Sequence, residues 1–292
     1  MRLLAVAALC LAGVASTVEA RDLPPQRFAY DEDLAYDMTL HSYTTYCNKK
    51  CVKKWDSSCL LFADKLHEFE MVAVVENSLK GLFGYVGYDA THDRIVVSFR
   101  GSKNPSNWLG NIKYEQVKVP EIGASGLVHK GFAKNYLRLQ RQVTSALYMA
   151  TRDYPTAQIV YTGHSLGGVF AVLAAVDQTR HFPDREHVVY TIGCPRIGDD
   201  TFYADDMGHI DSHFRLVNGA DVVAAVPPRS IRGNKYRHAY QEVFYTEPKK
   251  GAYKLCDESA EDTSCSVGTL QDSVSDHSFY FGVLSHDACG KR

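Results

Sequence analysis

The sequence predicts an α/β fold with a mainly parallel central sheet that is covered by helices on both faces. Short β-rich apolar runs alternate along the chain with segments whose apolar residues recur at helical spacing. No internal repeat, low-complexity tract or Pro/Ser-rich linker interrupts this alternation. Beyond residue 20 the chain keeps roughly 270 residues, enough for a sizeable core. We therefore expect a single domain over residues 21–292.

The individual elements follow in chain order. Tyr30, Leu34 and Met38 lie four residues apart and predict an N-terminal helix. Apolar residues at helical spacing also run from position 136 to 150, and Pro155 would end that helix. An Ala-rich run over 169–176 predicts a further helix. Strands are predicted over residues 71–75, 82–88, 94–99, 158–163, 187–193, 214–217 and within 236–245.

Residues 1–20 have the organisation of a secretory signal peptide. Arg2 supplies a positive start, residues 3–14 form an apolar core, and residues 18–20 form a small-residue cleavage site. The core is too short to span a bilayer, and no later apolar run approaches the roughly 20 residues of a transmembrane helix. The sequence therefore predicts a secreted, extracellular protein without stable membrane insertion.

The charge balance limits the class of partner. The formal net charge is −2 at pH 7, and no dense Lys/Arg block occurs. This argues against nucleic acid as the main partner. We expect a monomer.

The cysteines predict disulfides rather than a metal site. Seven lie beyond the signal segment, and an exported protein meets an oxidising environment. Zinc is the competing interpretation of Cys47, Cys51 and Cys59, but no fourth ligand has a suitable spacing. Cys194 adjoins an apolar, strand-like run and is the best candidate for a free thiol. The remaining six leave the pairing open.

The most informative motif is the hexapeptide Gly-His-Ser-Leu-Gly-Gly at 163–168, between a predicted strand and a predicted helix. A Ser at the apex of such a strand-turn-helix carries an exposed, nucleophilic hydroxyl. Gly163 and Gly167 lack Cβ atoms, which lets the strand and the helix approach closely around Ser165. Leu166 would offer its backbone N–H from the helix N-terminus to a developing anion.

A nucleophilic Ser165 needs a base, and the base needs an orienting carboxylate. Asp221 follows the predicted strand 214–217, beyond the carboxyl end where sites gather in parallel sheets. The alternative is an ordinary turn carboxylate, because Asn-Gly-x-Asp is common turn chemistry. Rival aspartates lie in a loop that no strand aims at the site: Asp199, Asp200, Asp205 and Asp206.

Three histidines follow Asp221 in the chain. His277 is the preferred base, because it lies in a loop that opens an aromatic run, predicted to be a helix. His238 lies in a strand-like region and is expected to make a structural hydrogen bond. His286 lies beside Cys289, where a disulfide would hold it away.

Acyl transfer also needs a second donor to the oxyanion. Ser102 follows the strand 94–99 and could offer a backbone N–H and a hydroxyl, although a plain Gly-Ser turn would look the same. Trp108 and Leu109 lie amid small polar residues in the segment 104–111, where Pro105 could open a short helix. This segment is either a lid over an apolar site or a surface helix with Trp108 packed inward.

Taken together, these motifs resemble the class 3 lipase family, the group of secreted fungal lipases. They run in the family's order over about residues 40–285. The matching segments are 163–168, 98–102 with 107–109, Val-His-Lys-Gly-Phe at 128–132, Gly-Cys-Pro-Arg-Ile-Gly at 193–198, 217–221 with Pro-Pro at 227–228, and Asp-His-x-x-Tyr-Phe at 276–281.

The resemblance implies an α/β-hydrolase fold and a serine esterase that acts on carboxylic esters, typically triacylglycerol. It implies three groups of functional residues: the triad Ser165, Asp221 and His277; the oxyanion donors Ser102 and Leu166; and the lid segment 104–111 with Trp108 and Leu109. It also implies the disulfides Cys47–Cys289, Cys51–Cys59 and Cys256–Cys265. This chain departs from the family at Cys194 and in a looser acid loop at 222–225, which affects the acyl pocket more than the triad.

We therefore expect a secreted serine hydrolase, in the first place a triacylglycerol lipase, that acts on an ester lipid at a lipid–water interface. The chemistry needs no metal or organic cofactor. A feruloyl or acetyl esterase and a phospholipase A1 remain open, because the same fold hosts them. The alternative from a different class is a catalytically inactive lipid-binding or effector protein on the same scaffold.

Overall fold

The computed structural model describes residues 26–66, 68–238, 240–257 and 261–290. The predicted signal peptide, residues 1–20, lies outside the described residues. The helices of the described part are α1 (Glu32–Thr44), α2 (Lys49–Lys54), α3 (Pro105–Asn111), α4 (Lys130–Tyr136), α5 (Gln140–Asp153), α6 (Leu166–Gln178) and α7 (Val274–His277). The strands are β1 (Phe69–Asn77), β2 (Leu82–Asp89), β3 (Arg94–Phe99), β4 (Gln116–Val119), β5 (Ala124–His129), β6 (Gln158–His164), β7 (His187–Ile192), β8 (Ser212–Asn218), β9 (Ser230–Ile231), β10 (Asn234–Lys235), β11 (Gln241–Tyr245), β12 (Tyr253–Leu255), β13 (Phe279–Tyr280) and β14 (Val283–Leu284).

Eight of these strands form the central sheet, in the order β1-β2-β3-β6-β7-β8-β11-β12. Five adjacent strands of this sheet, β3, β6, β7, β8 and β11, run parallel to one another. The pairs β1–β2, β2–β3 and β11–β12 are antiparallel and complete the two edges. The prediction of an α/β fold with a mainly parallel sheet is confirmed.

Helices cover both faces of this sheet. Successive residues of a strand point to opposite faces. Ile95 and Ile159 accordingly pack into one buried cluster with residues of α5 and α6. Val96 and Val160, their chain neighbours, pack into a second cluster that contains Met38 of α1. Burial on both faces explains why the central strands read as continuous apolar runs.

The carboxyl ends of the parallel strands meet at one edge, which places the site loops together. Ile192 of β7 is paired with His164 of β6 on one side and with Leu216 of β8 on the other. Ser165 follows β6 directly, and Asp221 comes three residues after β8. One strand therefore separates the loops that carry these two residues.

The single helix predicted over 136–150 is instead two helices, α4 and α5. Tyr136 ends α4, a turn follows over residues 137–139, and Leu139 immediately precedes α5. Tyr136 and Leu139 are both buried in the same core cluster. The short turn keeps the two side chains on one side, so their spacing does not reveal the break.

The aromatic helix predicted to begin at His277 is wrong. His277 ends the short helix α7, and the following residues form the hairpin β13–β14. Phe281 and Gly282 have φ values of 54° and 74°. Two consecutive residues with positive φ form the tight loop that twisted hairpins favour, and this loop overrides helix formation. The strand predicted within 236–245 is present only in its second half, as β11.

The disulfides implied by the family resemblance are confirmed. The bonded pairs are Cys47–Cys289, Cys51–Cys59 and Cys256–Cys265. The zinc interpretation of Cys47, Cys51 and Cys59 is therefore wrong, because all three sulfurs are bonded to sulfur. Among the cysteines that the structure describes, Cys194 is the one left free, and it is buried, as predicted.

Candidate active site

The turn between β6 and α6 holds Ser165 in a strained backbone conformation. Its φ is 59° and its ψ is −130°, a region that residues with a side chain rarely adopt. A Cβ atom on Gly163 would lie 2.2 Å from the carbonyl carbon of Gly167, and a Cβ on Gly167 would lie 2.2 Å from the Phe99 oxygen. The predicted need for both glycines is thus explained by close backbone approach. Leu166 is the first residue of α6, so its N–H belongs to the unpaired first turn of a helix.

Asp221 and His277 form a fully buried pair at the same edge of the sheet. The Nδ1 atom of His277 lies 3.0 Å from each carboxylate oxygen of Asp221. Tyr280 donates its hydroxyl to Asp221 Oδ2 over 2.7 Å, and the Val223 N–H donates to Oδ1 over 2.8 Å. Burial alone raises the pKa of Asp221, but the imidazole and these hydrogen bonds outweigh it and leave the pKa below its ordinary value.

Ser165 and His277 each have a buried polar atom without a hydrogen-bond partner among the described residues. Ser165 Oγ and His277 Nε2 are both buried, and neither makes a hydrogen bond to any described residue. Because His277 Nδ1 donates to Asp221, its Nε2 is the nitrogen left to accept a proton. A Cβ on Gly193 would lie 2.9 Å from His277 Nδ1, and Ser165 N–H donates to the residue before Gly193 over 2.8 Å. The His277 ring and the backbone of Ser165 therefore both lie next to the segment 192–193, and catalytic hydrogen bonds often shorten only when substrate binds.

His164 links this pair to Tyr46, which lies just after α1. Its Nε2 donates to the His277 carbonyl oxygen over 2.7 Å, and its Nδ1 lies 2.9 Å from the Tyr46 hydroxyl. Burial in the first place, and then the neighbouring His277, lowers the pKa of His164 to about 3. A neutral imidazole has one donor and one acceptor, and these two partners satisfy both. Sequence reasoning missed Tyr46, since nothing in its surroundings along the chain marks it.

The rival residues are engaged elsewhere. His238 Nε2 donates to the Ala224 carbonyl over 2.8 Å, so it has the structural role that was expected. His286 has a side chain 75% exposed beside Asp287. Asp199 accepts a backbone N–H of β5 over 3.0 Å, and Asp200 pairs with Arg237 over 3.0 Å. The side chains of the two remaining rivals, 205 and 206, are not described.

The loop after β3 passes directly over the nucleophile turn. A Cβ on Gly101 would lie 3.0 Å from Ser165 Cβ and 2.5 Å from the His164 oxygen. Ser102 is the next residue, and its hydroxyl exchanges hydrogen bonds with the backbone N–H and carbonyl of Asn104 at 3.2 and 3.1 Å. Ser102 therefore lies at the rim of the site, with its hydroxyl engaged in a local turn.

The segment 104–111 forms a helix, α3, in which no residue is fully buried. Trp108 is half-buried and stacks on Phe132 with ring centroids 6.1 Å apart. Leu109 is also half-buried. Trp108 thus packs inward from a surface helix, an arrangement that an ordinary surface helix and a closed lid share, so the lid stays a prediction.

A groove of about 380 Å³ lies between α3, α4 and the start of α6. Its apolar lining consists of Trp108, Ile112, Phe132 and Leu166. Because Leu166 follows Ser165 directly, one end of this groove adjoins the candidate nucleophile. An apolar groove of this size beside a reactive hydroxyl suits a hydrocarbon chain.

One group of possible metal ligands occurs among the described residues, away from Ser165 at the far edge of the sheet. It consists of Glu242, Cys256 and Cys265. The two thiols form a disulfide with each other, and Glu242 pairs with Arg215. These residues therefore provide no free thiolate to a cation, and their one carboxylate is already paired with Arg215. Within the described residues, no helix has the length and apolar character needed to cross a bilayer.

Comparison with known proteins shows that the chain is a serine lipase-like hydrolase. A family model described as Lipase (class 3) matches residues 96–231. A lipase of Rhizomucor miehei is 27% identical over 256 residues, covering 86% of this chain and 68% of the relative. A secreted mono- and diacylglycerol lipase 1 of Fusarium solani is 33% identical over 222 residues, covering 74% and 64%. The chain belongs to the class 3 lipase family, and it spans about two thirds of the length of these curated relatives.

Solved structures agree with this assignment. The Rhizomucor miehei lipase propeptide complex superposes with a TM-score of 0.79 at 26% identity, covering 91% of this chain and 86% of that one. A triacylglycerol lipase whose catalytic centre is described as a serine protease triad gives a TM-score of 0.79 at 25% identity, covering 88% and 97%.

Proposed function

We propose that this chain is a secreted serine carboxylic-ester hydrolase that cleaves triacylglycerol through a triad of Ser165, His277 and Asp221. The buried pair of His277 and Asp221, together with buried Ser165 Oγ and His277 Nε2 atoms that lack a hydrogen-bond partner among the described residues, carries the proposal. A serine that reacted without a triad would not require a buried His–Asp pair at the same edge of the sheet. Secretion is supported by the three disulfides and by relatives that are named as secreted lipases.

The reaction begins when Ser165 attacks the ester carbonyl and His277 Nε2 takes the hydroxyl proton. Asp221 fixes the imidazole tautomer and stabilises the cation that forms. His277 then protonates the leaving alcohol, and an acyl group stays on Ser165. Water, activated by the same imidazole, attacks this acyl-enzyme and releases the fatty acid.

The negative charge of the tetrahedral intermediate needs donors that are already in place. The Leu166 N–H at the start of α6 is one such donor, and Ser102 is the other. Removal of one oxyanion donor typically costs about 3 kcal/mol of barrier. The groove beneath α3 would hold the acyl chain, with Trp108 and Leu109 as parts of its lid.

Mono- and diacylglycerols are the second candidate substrates. The relative with 33% identity is named a mono- and diacylglycerol lipase, whereas the triacylglycerol lipase structure has 25% identity. The chemistry at Ser165 is the same for both, so only the shape of the groove distinguishes them.

A panel of tri-, di- and monoacylglycerol, phospholipid and feruloyl esters tests the proposal. We expect hydrolysis of acylglycerols by the wild type and its loss in Ser165→Ala and His277→Ala, with folding retained. His286→Ala is the matched control, because this exposed histidine lies nine residues further on. Equal turnover by Ser165→Ala would overturn the proposal, and turnover of feruloyl esters alone would overturn the substrate class.

A further inference from the structure

The groove beneath α3 has a cationic rim. Besides its apolar residues it is lined by Lys113, Lys130 and Lys134, against one carboxylate, Glu115. Lys130 pairs with Glu115 over 2.7 Å. All three lysine side chains are exposed, and the lining as a whole keeps a surplus of two positive charges.

This rim is part of a wider segregation of charge. Residues 103–153, which form α3, β4, β5, α4 and α5, contain eight Lys and Arg and three Asp and Glu, a net charge of +5. The whole chain carries −2, so the remainder carries −7. The lid helix α3 itself has no charged residue, and Lys103 and Lys113 flank its two ends. An uncharged helix that carries Trp and Leu and is flanked by basic residues suits a segment that lies at a lipid surface.

Apolar side chains project from the same edge of the protein. Leu79 is 95% exposed and Leu270 is 79% exposed. Leu79 lies in the β1–β2 connection, whose Gly81 carbonyl accepts a hydrogen bond from Arg100, beside the loop that covers Ser165. Leu270 precedes Ser273, whose N–H donates to the carbonyl of the residue before Asp221. Exposed leucines lie on both sides of the site, next to a cationic groove. They match a lipid layer with apolar acyl chains beneath negatively charged head groups.

We propose that this face docks on anionic lipid surfaces, with Lys113 and Lys134 in contact with the negative head groups. The inference rests on the proposed function, because it places the lid groove against the lipid that supplies the ester. Each basic residue near an anionic surface strengthens binding about fivefold at modest ionic strength. A neutral triacylglycerol droplet would gain nothing from these charges, so the rim selects the charge of the lipid surface as well as its apolar character.

Vesicle sedimentation tests the proposal without any turnover. In a Ser165→Ala background, binding is measured to vesicles of phosphatidylcholine alone and of phosphatidylcholine with phosphatidylglycerol. We expect preference for the anionic vesicles, loss of that preference at high salt, and binding about 30-fold weaker after Lys113→Ala with Lys134→Ala. The matched control is Lys53→Ala with Lys54→Ala, which removes two exposed charges from α2.

Three results would overturn the proposal: equal binding to both vesicle types, no effect of the Lys113 and Lys134 changes, or an equal effect of the control changes. Loss of soluble oleate binding without loss of vesicle binding would instead assign the lysines to the product carboxylate. Thermal unfolding of each variant separates these outcomes from misfolding. Because binding is measured on an inactive background, failure here is distinct from failure of the ester-hydrolysis proposal.

Discussion

Replacement of Asp221 by Asn probes the proposed machinery through a change of one atom. Three donors converge on the carboxylate: His277 Nδ1 at 3.0 Å, the Tyr280 hydroxyl at 2.7 Å and the Val223 N–H at 2.8 Å. An amide has only one acceptor oxygen. The Val223 N–H cannot reverse its role, so the amide oxygen is expected to stay at the Oδ1 position and the amide nitrogen to replace Oδ2.

The amide nitrogen would then present a donor 3.0 Å from His277 Nδ1, and the one acceptor oxygen left within 3.0 Å of that atom already accepts from the Val223 N–H. The imidazole is expected to accept at Nδ1 and to carry its proton on Nε2, where it can no longer take the proton of Ser165. The same change in a triad of this kind lowers kcat by about 10⁴-fold with little change in geometry. We expect a loss of similar size for Asp221→Asn.

The assay is kcat on a soluble short-chain ester, with thermal unfolding measured in parallel. Asp200→Asn is the matched control, because Asp200 is an exposed aspartate that pairs with Arg237 outside the site. We expect its kcat to equal that of the wild type. A loss of less than about tenfold in Asp221→Asn, in a protein that unfolds normally, would refute the assigned role.

Three further predictions concern stability. Gly163→Ala places a Cβ 2.2 Å from a backbone carbon of α6 and should lower the free energy of unfolding by about 3 kcal/mol, whereas Gly110→Ala meets no atom within 4 Å and should change it by less than about 1 kcal/mol; equal effects in urea titrations would contradict the packing argument. Glu261→Gln breaks a buried ion pair in which Arg196 Nε lies 3.0 Å from Glu261 Oε1, and it should lower the free energy of unfolding by about 3 kcal/mol in the same titration. A decrease of less than about 1 kcal/mol would show that the pair is effectively solvated. Burial lowers the pKa of His41 from 6.5 to about 3, so between these pH values the unfolded chain binds a proton at His41 that the folded chain does not. As the pH is lowered from 6 to 4, this residue should therefore lower the free energy of unfolding by about 1.4 kcal/mol per pH unit. The same pH dependence of stability in His41→Gln would contradict this prediction.

The alternation of apolar runs was sufficient to predict the central sheet, because strands buried on both faces cannot be polar on either. The glycines at 163 and 167 were informative only together with the predicted strand before them and the predicted helix after them; the structure explains them by close backbone approach. The order of strands and the loops after them then placed Asp221 near Ser165. These features depend on properties of single residues or of short segments.

Polar contacts between distant residues that no motif marks could not be predicted. Tyr46 contacts His164 across 118 positions, and no local pattern marks that contact. Arg196 pairs with Glu261 and also donates to the Pro227 carbonyl over 3.0 Å, so it braces the loop that follows Asp221. Tertiary packing determines which polar groups meet in this way, and no pattern in a single sequence indicates the pairing. The hairpin after His277 was missed because its aromatic content suits a helix and a strand equally.

Covalent capture of the nucleophile tests the central claim most directly. A fluorophosphonate should react once per molecule, and mass spectrometry of the digested protein should locate the adduct on Ser165. Labelling should be lost in His277→Ala and retained in His286→Ala, because only the first removes the base. An adduct on another serine, or labelling at the same rate without the His277 imidazole, would contradict the proposed triad.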